Sequence, residues 1–220
     1  MPRRELLQAP KLGTLNLPDL YEGTVGLLRP HADLSELHFA GVDFTDAELS
    51  GASLSECLLE GITAAELRML NARIVESRIE GLNTPSAALT GAVLREVELK
   101  NSRIGAIDLA DADLRTVAVE HCKLDWVNLR SVVLTDVLFR DCTFGELDLT
   151  GAEGTRMAFE NCRAETVTVR GARLKDADLR GLDFARLDGP EGLRGAALDE
   201  RQLMAMTETF AQYFEVRVMG

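Results

Sequence analysis

Every fifth residue of this chain is apolar. From Leu34, Phe39, Phe44 and Leu49 through to Leu174, Leu179 and Phe184, thirty-one such positions follow one another without a slip of register. Nearly all are Leu, Phe, Ile, Val or Met; the exceptions are Ala64, Thr84, Gly154 and Ala164. The residue two places before each is also mostly small or apolar, as in Ala32, Leu37, Val42, Ala47 and Ala52. The remaining three positions are mainly Asp, Glu, Arg, Ser, Thr, Gly and Asn.

Call the central apolar residue i. Residues i−2 and i share one face of an extended segment. An odd period would flip that face at every repeat of a straight strand. The chain must therefore turn a corner once per pentapeptide. Turn-forming residues at i+2 agree, among them Gly41, Gly51, Gly61, Gly81, Asn101, Asn161 and Gly171. The i−2 residues give the number of sides. Every twenty residues from 32 they read Ala32, Ala52, Ala72, Ala92, Ala112, Val132, Ala152 and Ala172, whereas the column from 37 begins Leu37, Cys57, Ser77, Val97. Four pentapeptides thus make one turn. The pattern predicts an all-β, four-sided coil of about eight turns over residues 32–186, flanked by a cap segment over 1–31 and an exit segment over 187–220.

The same ruler accounts for the cysteines. Cys122, Cys142 and Cys162 are i−2 residues of one side, and Cys57 of another. Buried free cysteine behaves as a small hydrophobe. With coils ~4.8 Å apart, Cys122 and Cys162 lie too far apart to share a metal, so neither metal nor other cofactor is expected. His38 and His121 both point outward, four coils apart, and cannot share a proton or an ion. No nucleophile elbow, phosphate loop or dinucleotide fingerprint is present. The composition is that of a folded binding protein, not an enzyme.

Charge narrows the partners. The net charge is −12, which disfavours direct contact with nucleic acid or an anionic membrane. No apolar run reaches the length of a membrane span, and the first residues lack the apolar stretch of an export signal. Together with four unpaired cysteines this fits the cytoplasm. Residues 32–66 carry eight acids and no Lys or Arg. Their ~8 Å of axis matches or exceeds the linear charge density of duplex DNA, one charge per ~1.7 Å. From 67 to 186 the balance is only −2.

The motifs "ADLSE", "ADLRT", "ADLRG" and "LDLTG" resemble the pentapeptide-repeat family. The resemblance covers residues 32–186 and implies a right-handed, four-sided parallel β-helix. Some members of that family protect DNA gyrase from quinolones or inhibit it, as acidic rods that mimic DNA and dimerise through a C-terminal helix. The order here is similar: repeats, exit loop, apolar helix, short tail. The resemblance therefore implies a protein partner, DNA gyrase or another topoisomerase. The acids of the first coils, Asp33, Glu36, Asp43, Asp46, Glu48 and Glu56, are the contacts expected on this reading. A general cytoplasmic scaffold for an unrelated protein is the alternative, with Trp126 at an outward i+2 position as a further contact.

The ends fall outside the repeat. "LGTLNLPDLYEG" is expected to cover the first coil. At the other end "DERQLMAMTETFAQYF" reads as one helix, with Asp199 and Gln202 forming a capping box. Leu203, Met206, Phe210, Tyr213 and Phe214 form its apolar face. That face either plugs the last coil or also joins two copies in a homodimer. "EVRVM" then alternates as a short edge strand would. "TPS" at 84–86 and Gly154 mark places where the coil is expected to be irregular without losing register.

Overall fold

The structure, a computed structural model, describes residues 7–45 and 47–217. It is a parallel β-solenoid of about nine turns with two short helices near its C-terminus. Each turn lies on the next with an offset of twenty residues: Ile74 pairs with Leu94, Leu94 with Leu114, Leu114 with Leu134, and Leu134 with Gly154. The first and second sides run as one bent strand, as in Arg73–Glu80 and Asp113–Glu120. The third side forms the other sheet, as in Arg103–Asp108 and Lys123–Asn128.

Left-handed backbone makes the corners after the first, second and fourth sides. On the second and fourth, Gly, Asn and short polar residues dominate, as the turn chemistry predicts. The first corner differs. Glu36, Glu56, Glu76, Glu96, Thr116, Asp136, Arg156 and Asp176 occupy it, with φ between 46° and 58°. A left-handed residue with a Cβ costs about 1–2 kcal/mol. Hydrogen bonds between coils, such as those from the Glu36 and Glu56 N–H groups to Ser55 and Val75, hold these residues in place.

The interior is a stack of apolar columns. The central residues and their i−2 neighbours are almost all buried, including all four cysteines. Phe139 and Phe159 stack across adjacent coils at 4.8 Å, and Phe144 meets both edge-on. Gly154 leaves room that Met157 fills: a Cβ there would lie 2.7 Å from the Met157 sulfur. The expected irregularity at Thr84 is absent, because Thr84 is buried within a regular strand and its hydroxyl donates to the Ser86 carbonyl at 2.8 Å. Ser77 and Ser102 sit in the apolar columns yet accept from Cys57 N and Leu82 N, taking the part a carbonyl plays elsewhere. Among the described residues no buried side-chain nitrogen or oxygen lacks a partner.

The N-terminal segment departs from expectation. Residues 21–31 cover the first coil: Tyr21 and Glu22 pair with Leu37 and His38, Gly23 lies against the Phe39 ring, and Leu28 packs on the core. Residues 7–20 do not. They run as an extended arm along the outside of the solenoid, from the last coils back to the first. The Gln8 N–H donates to Asp176 at 3.2 Å, the Lys11 N–H to Asp136 at 2.9 Å, and Arg78 reaches the Leu15 carbonyl at 3.5 Å. Pro10 and Pro18 favour extended backbone.

At the C-terminus Gly189 takes a left-handed turn into a 3-10 segment, Pro190–Leu193, and Ala196–Ala197 pairs with the last full coil. The expected single helix is two, α1 (Glu200–Ala205) and α2 (Thr207–Tyr213), with the bend at Met206. Both bonds of the capping box between Asp199 and Gln202 are present. Gln202 also donates to the Leu179 and Leu182 carbonyls at 2.7 and 2.8 Å, closing the open edge of the last coil. No edge strand follows over the described part of "EVRVM". Glu215 is left-handed, its N–H bonds to Gln212, and the Val216 N–H bonds to Ala211, which ends α2 in a Schellman turn. Val218 and Met219 lie outside the described residues.

Two outcomes test this architecture. Leu114→Asp, which places a charge at a buried central position, should cost several kcal/mol or unfold the rod. Its neighbour Asp113→Lys should cost less than about 1 kcal/mol, since Asp113 makes only a surface pair with Arg115. Equal thermal shifts for the two would refute the register. The second concerns Asp136. Two hydrogen bonds from Arg156, at 2.6 and 2.7 Å, together with the Lys11 N–H, hold its carboxyl below the ordinary aspartate value despite burial. Because the folded value is lowered, the stabilisation is complete above the unfolded value near 4 and is lost as pH falls through the folded one. Asp136→Asn should cost about 1–3 kcal/mol at neutral pH. It should also flatten the fall of the urea midpoint expected of the parent protein below about pH 4.

Candidate interaction surfaces

The acids of the first coils are distributed around the rod and not gathered on one face. Asp33 is outward on the first side, Glu36 and Glu56 follow one another on the first corner, Asp43 is on the third side and Glu48 on the fourth. Asp46 lies outside the described residues. Only Glu36 and Glu56 are brought together. Asp43 and Glu48 have local work as well. The Thr45 hydroxyl and N–H bond to Asp43, the Ser50 pair bond to Glu48, and these bonds lower both carboxyl pKa values. Among the described residues, none of Asp33, Glu36, Asp43, Glu48 and Glu56 forms an ion pair with Lys, Arg or His.

Further along, acids and bases consume one another. On the second side Arg78, Glu98, Lys100, Glu120, Arg140 and Glu160 form a continuous ladder with contacts of 2.7, 3.0, 3.4, 2.8 and 2.7 Å. Arg130 binds Asp148 at 2.6 Å and Arg180 binds Asp178 at 2.6 Å. Hydrogen bonds from Lys100 and Arg78 hold Glu98 ionised against the cost of burial. The charge gradient along the axis is therefore also a gradient of pairing.

The C-terminal helices have two kinds of apolar residue. Met206 is buried and Phe210 packs on the core, so these two plug the last coil. Leu203, Tyr213 and Phe214 are exposed, with Met204 and Val216 beside them. Tyr213 and Phe214 touch edge to face at 5.0 Å. The expected single apolar face is thus divided between the rod and solvent. Trp126 is 36% exposed on the third side, between Ala106 and Glu146 of the neighbouring coils.

The stacked cysteines are hydrogen-bonded to one another's coils, and the bond from Cys142 lowers the pKa of the Cys122 thiol. The Cys122, Cys142 and Cys162 sulfurs each donate to carbonyls, at 3.2–3.6 Å. The preceding sulfur and burial push the Cys142 thiol up to about 12, and Cys162 is raised in the same way. Both are neutral thiols at physiological pH, unlike a reactive cysteine. His38 meets Glu60 at 2.8 Å and His121 meets Asp141 at 3.5 Å, each apart from the other. Among the described residues no cluster of three or more His, Cys, Asp and Glu is placed to hold a metal, and no helix is long and apolar enough to cross a membrane.

One surface escapes the sequence reading. The i−1 position should face solvent, but on the second side it holds Leu58, Ala118, Leu138 and Ala158. Leu138 and Ala158 are buried although they point out of the coil. The N-terminal arm lies along this side, with Leu12, Leu15, Leu17 and Leu20 half-buried. A cavity of about 280 Å³ opens between Leu12–Leu15 and the rod, floored by Val97, Ala118 and Leu138 and edged by Glu96 and by Glu98, Glu120 and Arg140 of the ladder. Apolar residues at nominally solvent positions were the available signal.

The family model described as pentapeptide repeats (8 copies) matches residues 31–61. No curated protein matches the sequence. Among solved structures, full-length QnrB1, a plasmid-mediated fluoroquinolone resistance protein, is 20% identical over 81% of this chain and 89% of its own, with a TM-score of 0.30. A trypsin-treated QnrB1 variant is 15% identical over 87% and 97%, with a TM-score of 0.29. HetL, a pentapeptide-repeat protein involved in heterocyst differentiation regulation in the cyanobacterium Nostoc sp. strain PCC 7120, is 18% identical over 78% and 91%, with a TM-score of 0.26. The likeness rests on the repeat itself: thirty-one pentapeptides stand in one register, each set of four closing a turn of parallel β-solenoid, and those of residues 31–61 match the pentapeptide-repeat family model.

Proposed function

We propose that this protein is a non-catalytic interaction module whose first coils stand in for DNA and bind the basic DNA-binding groove of DNA gyrase or a related topoisomerase. One observation supports this most: Asp33, Glu36, Asp43, Glu48 and Glu56 form no ion pair among the described residues and are spread over the first, third and fourth sides and the first corner, while many acids of later coils are paired, those of the second side in a ladder. Phosphates likewise surround a duplex, and a groove that takes DNA does not need the charge on one face. Such a contact is electrostatic, fast to form and weakened by salt. The exposed Leu203, Tyr213 and Phe214 join two copies into a longer rod with an acidic tip at each end. Placement of Trp126 on the third side, away from the helices, supports the second reading, a scaffold for an unrelated protein.

Reversal of charge distinguishes them. Asp33, Glu36 and Glu56 lack the turn-forming bonds of Asp43 and Glu48, so changing all three to Lys should leave the melting temperature nearly unchanged. Inhibition of gyrase supercoiling by the parent protein at tens of micromolar and low salt is expected, and about tenfold or greater loss of potency in the triple variant. No inhibition by the parent protein sinks the gyrase reading; inhibition that survives the reversal moves the contact elsewhere.

Assembly is tested separately. Sedimentation velocity should find a dimer for the parent protein and a folded monomer for Tyr213→Asp combined with Phe214→Asp. Met206→Asp should instead destabilise the last coil by several kcal/mol, since it buries a charge. A parent protein that sediments as a monomer at high micromolar concentration would exclude the dimer.

A further inference from the structure

The N-terminal arm is held on terms unlike those of any other described segment. Residues 7–20 add no strand to the rod. Three polar contacts tie them down: Gln8 to Asp176, Lys11 to Asp136, and Arg78 to Leu15. What remains is apolar packing of half-buried leucines on Leu138, Ala158 and their column. The rod does not need the arm for closure. Its ends are covered by residues 21–31 and by Gln202 and Met206, and its strands bond to one another coil by coil.

The fit is also incomplete. The 280 Å³ cavity lies where the arm presents Gly13 and Thr14, its smallest stretch. Space of that size against an otherwise close-packed surface forfeits dispersion contacts that a larger side chain would make. We propose that this flank is a binding groove for an extended, leucine-bearing segment of a partner protein, and that the arm is a built-in competitor that occupies it in cis. The arm shows which chemistry the groove accepts: extended backbone, leucines at the places of Leu12 and Leu15, and N–H groups directed at Asp136 and Asp176. The cavity shows where a partner does better. In place of Gly13 it carries a long side chain with an apolar stem over Val97, Ala118 and Leu138 and a basic tip towards Glu96. A second copy's arm would leave the same cavity, so arm exchange between copies is the weaker occupant. Tethering gives the arm an effective concentration in the millimolar range, so the groove is closed to weak ligands and opens to well-fitting ones. This inference is independent of the DNA-mimic reading, which uses other residues.

The test frees the groove in the full-length chain without altering it. Leu12→Asp combined with Leu15→Asp removes the arm's own anchors. The probe is a fluorescein-labelled peptide with the sequence of residues 7–20 carrying Gly13→Arg. Fluorescence anisotropy should show it binding the double variant about tenfold or more tightly than the parent protein, and better than the peptide that keeps Gly13. Adding Leu138→Asp to the double variant should abolish binding. Equal binding, or none, by a double variant that keeps its cooperative melting transition overturns the proposal, as does binding that survives Leu138→Asp. Concentration-dependent dimers of the parent protein that the double variant loses would assign the groove to a second copy instead. Should the double variant fail to fold, hydrogen exchange on the parent protein decides. The Gln8 and Lys11 amides, which are bonded to the rod, should exchange about 100-fold or more faster than those of Val133–Arg140, and protection equal to that of those strands would show an arm that does not leave.

Discussion

Most backbone amides of the rod bond to a carbonyl nineteen or twenty-one positions away, which sets residues twenty apart side by side. That single constraint, parallel pairing between successive coils, fixes the rest. It requires each turn to contain four pentapeptides, aligns like with like, and turns sequence columns into columns in space. Leu114 sits between Leu94 and Leu134 because their backbones are paired, and the side chains have only to be compatible. It also pays for the left-handed corners. Thr116 and Arg156 would avoid φ above 50° in isolation, and accept it because the strands on either side are already fixed.

The same alignment governs the charges. Residues of opposite sign placed twenty positions apart, or on flanking rows, stand a hydrogen bond away whether or not the pair is worth much. Exposed pairs each contribute little, but in the ladder from Arg78 to Glu160 three bases balance three acids. In the first coils Asp33, Glu36, Asp43 and Glu56 have no such neighbours, and Arg68, twenty positions on from Glu48, is drawn to Glu66. The electrostatic identity of the protein is thus set by where its arginines begin.

Much of this was legible in the residues because a solenoid is a local code. The period, the four sides, the buried cysteines and the capping box at Asp199 all follow from spacing and turn chemistry. What was not legible depends on contacts between segments far apart in the chain. Leu12, Leu15, Leu17 and Leu20 fit neither a helical nor a strand period, and Leu12 and Leu15 are placed beside Leu138, more than a hundred residues away. The bend at Met206 depends on the open end of the last coil, which a helical pattern does not reveal. Glu215 ends α2 in a conformation that glycine usually takes, so "EVRVM" looked like a strand.

Both ends of the rod break the twenty-residue step. Tyr21 pairs with Leu37, sixteen positions away, and Ala177 pairs with Ala196, nineteen away. A stack of parallel coils is otherwise a template that any like strand could extend. The altered step places a cap where the next coil would have been, so growth stops after a set number of turns. The molecule is therefore a ruler of defined length. Whatever it spans when it works was chosen when the repeats were counted, and adding or deleting twenty residues would change that reach by one rung while keeping the pairing of coil on coil.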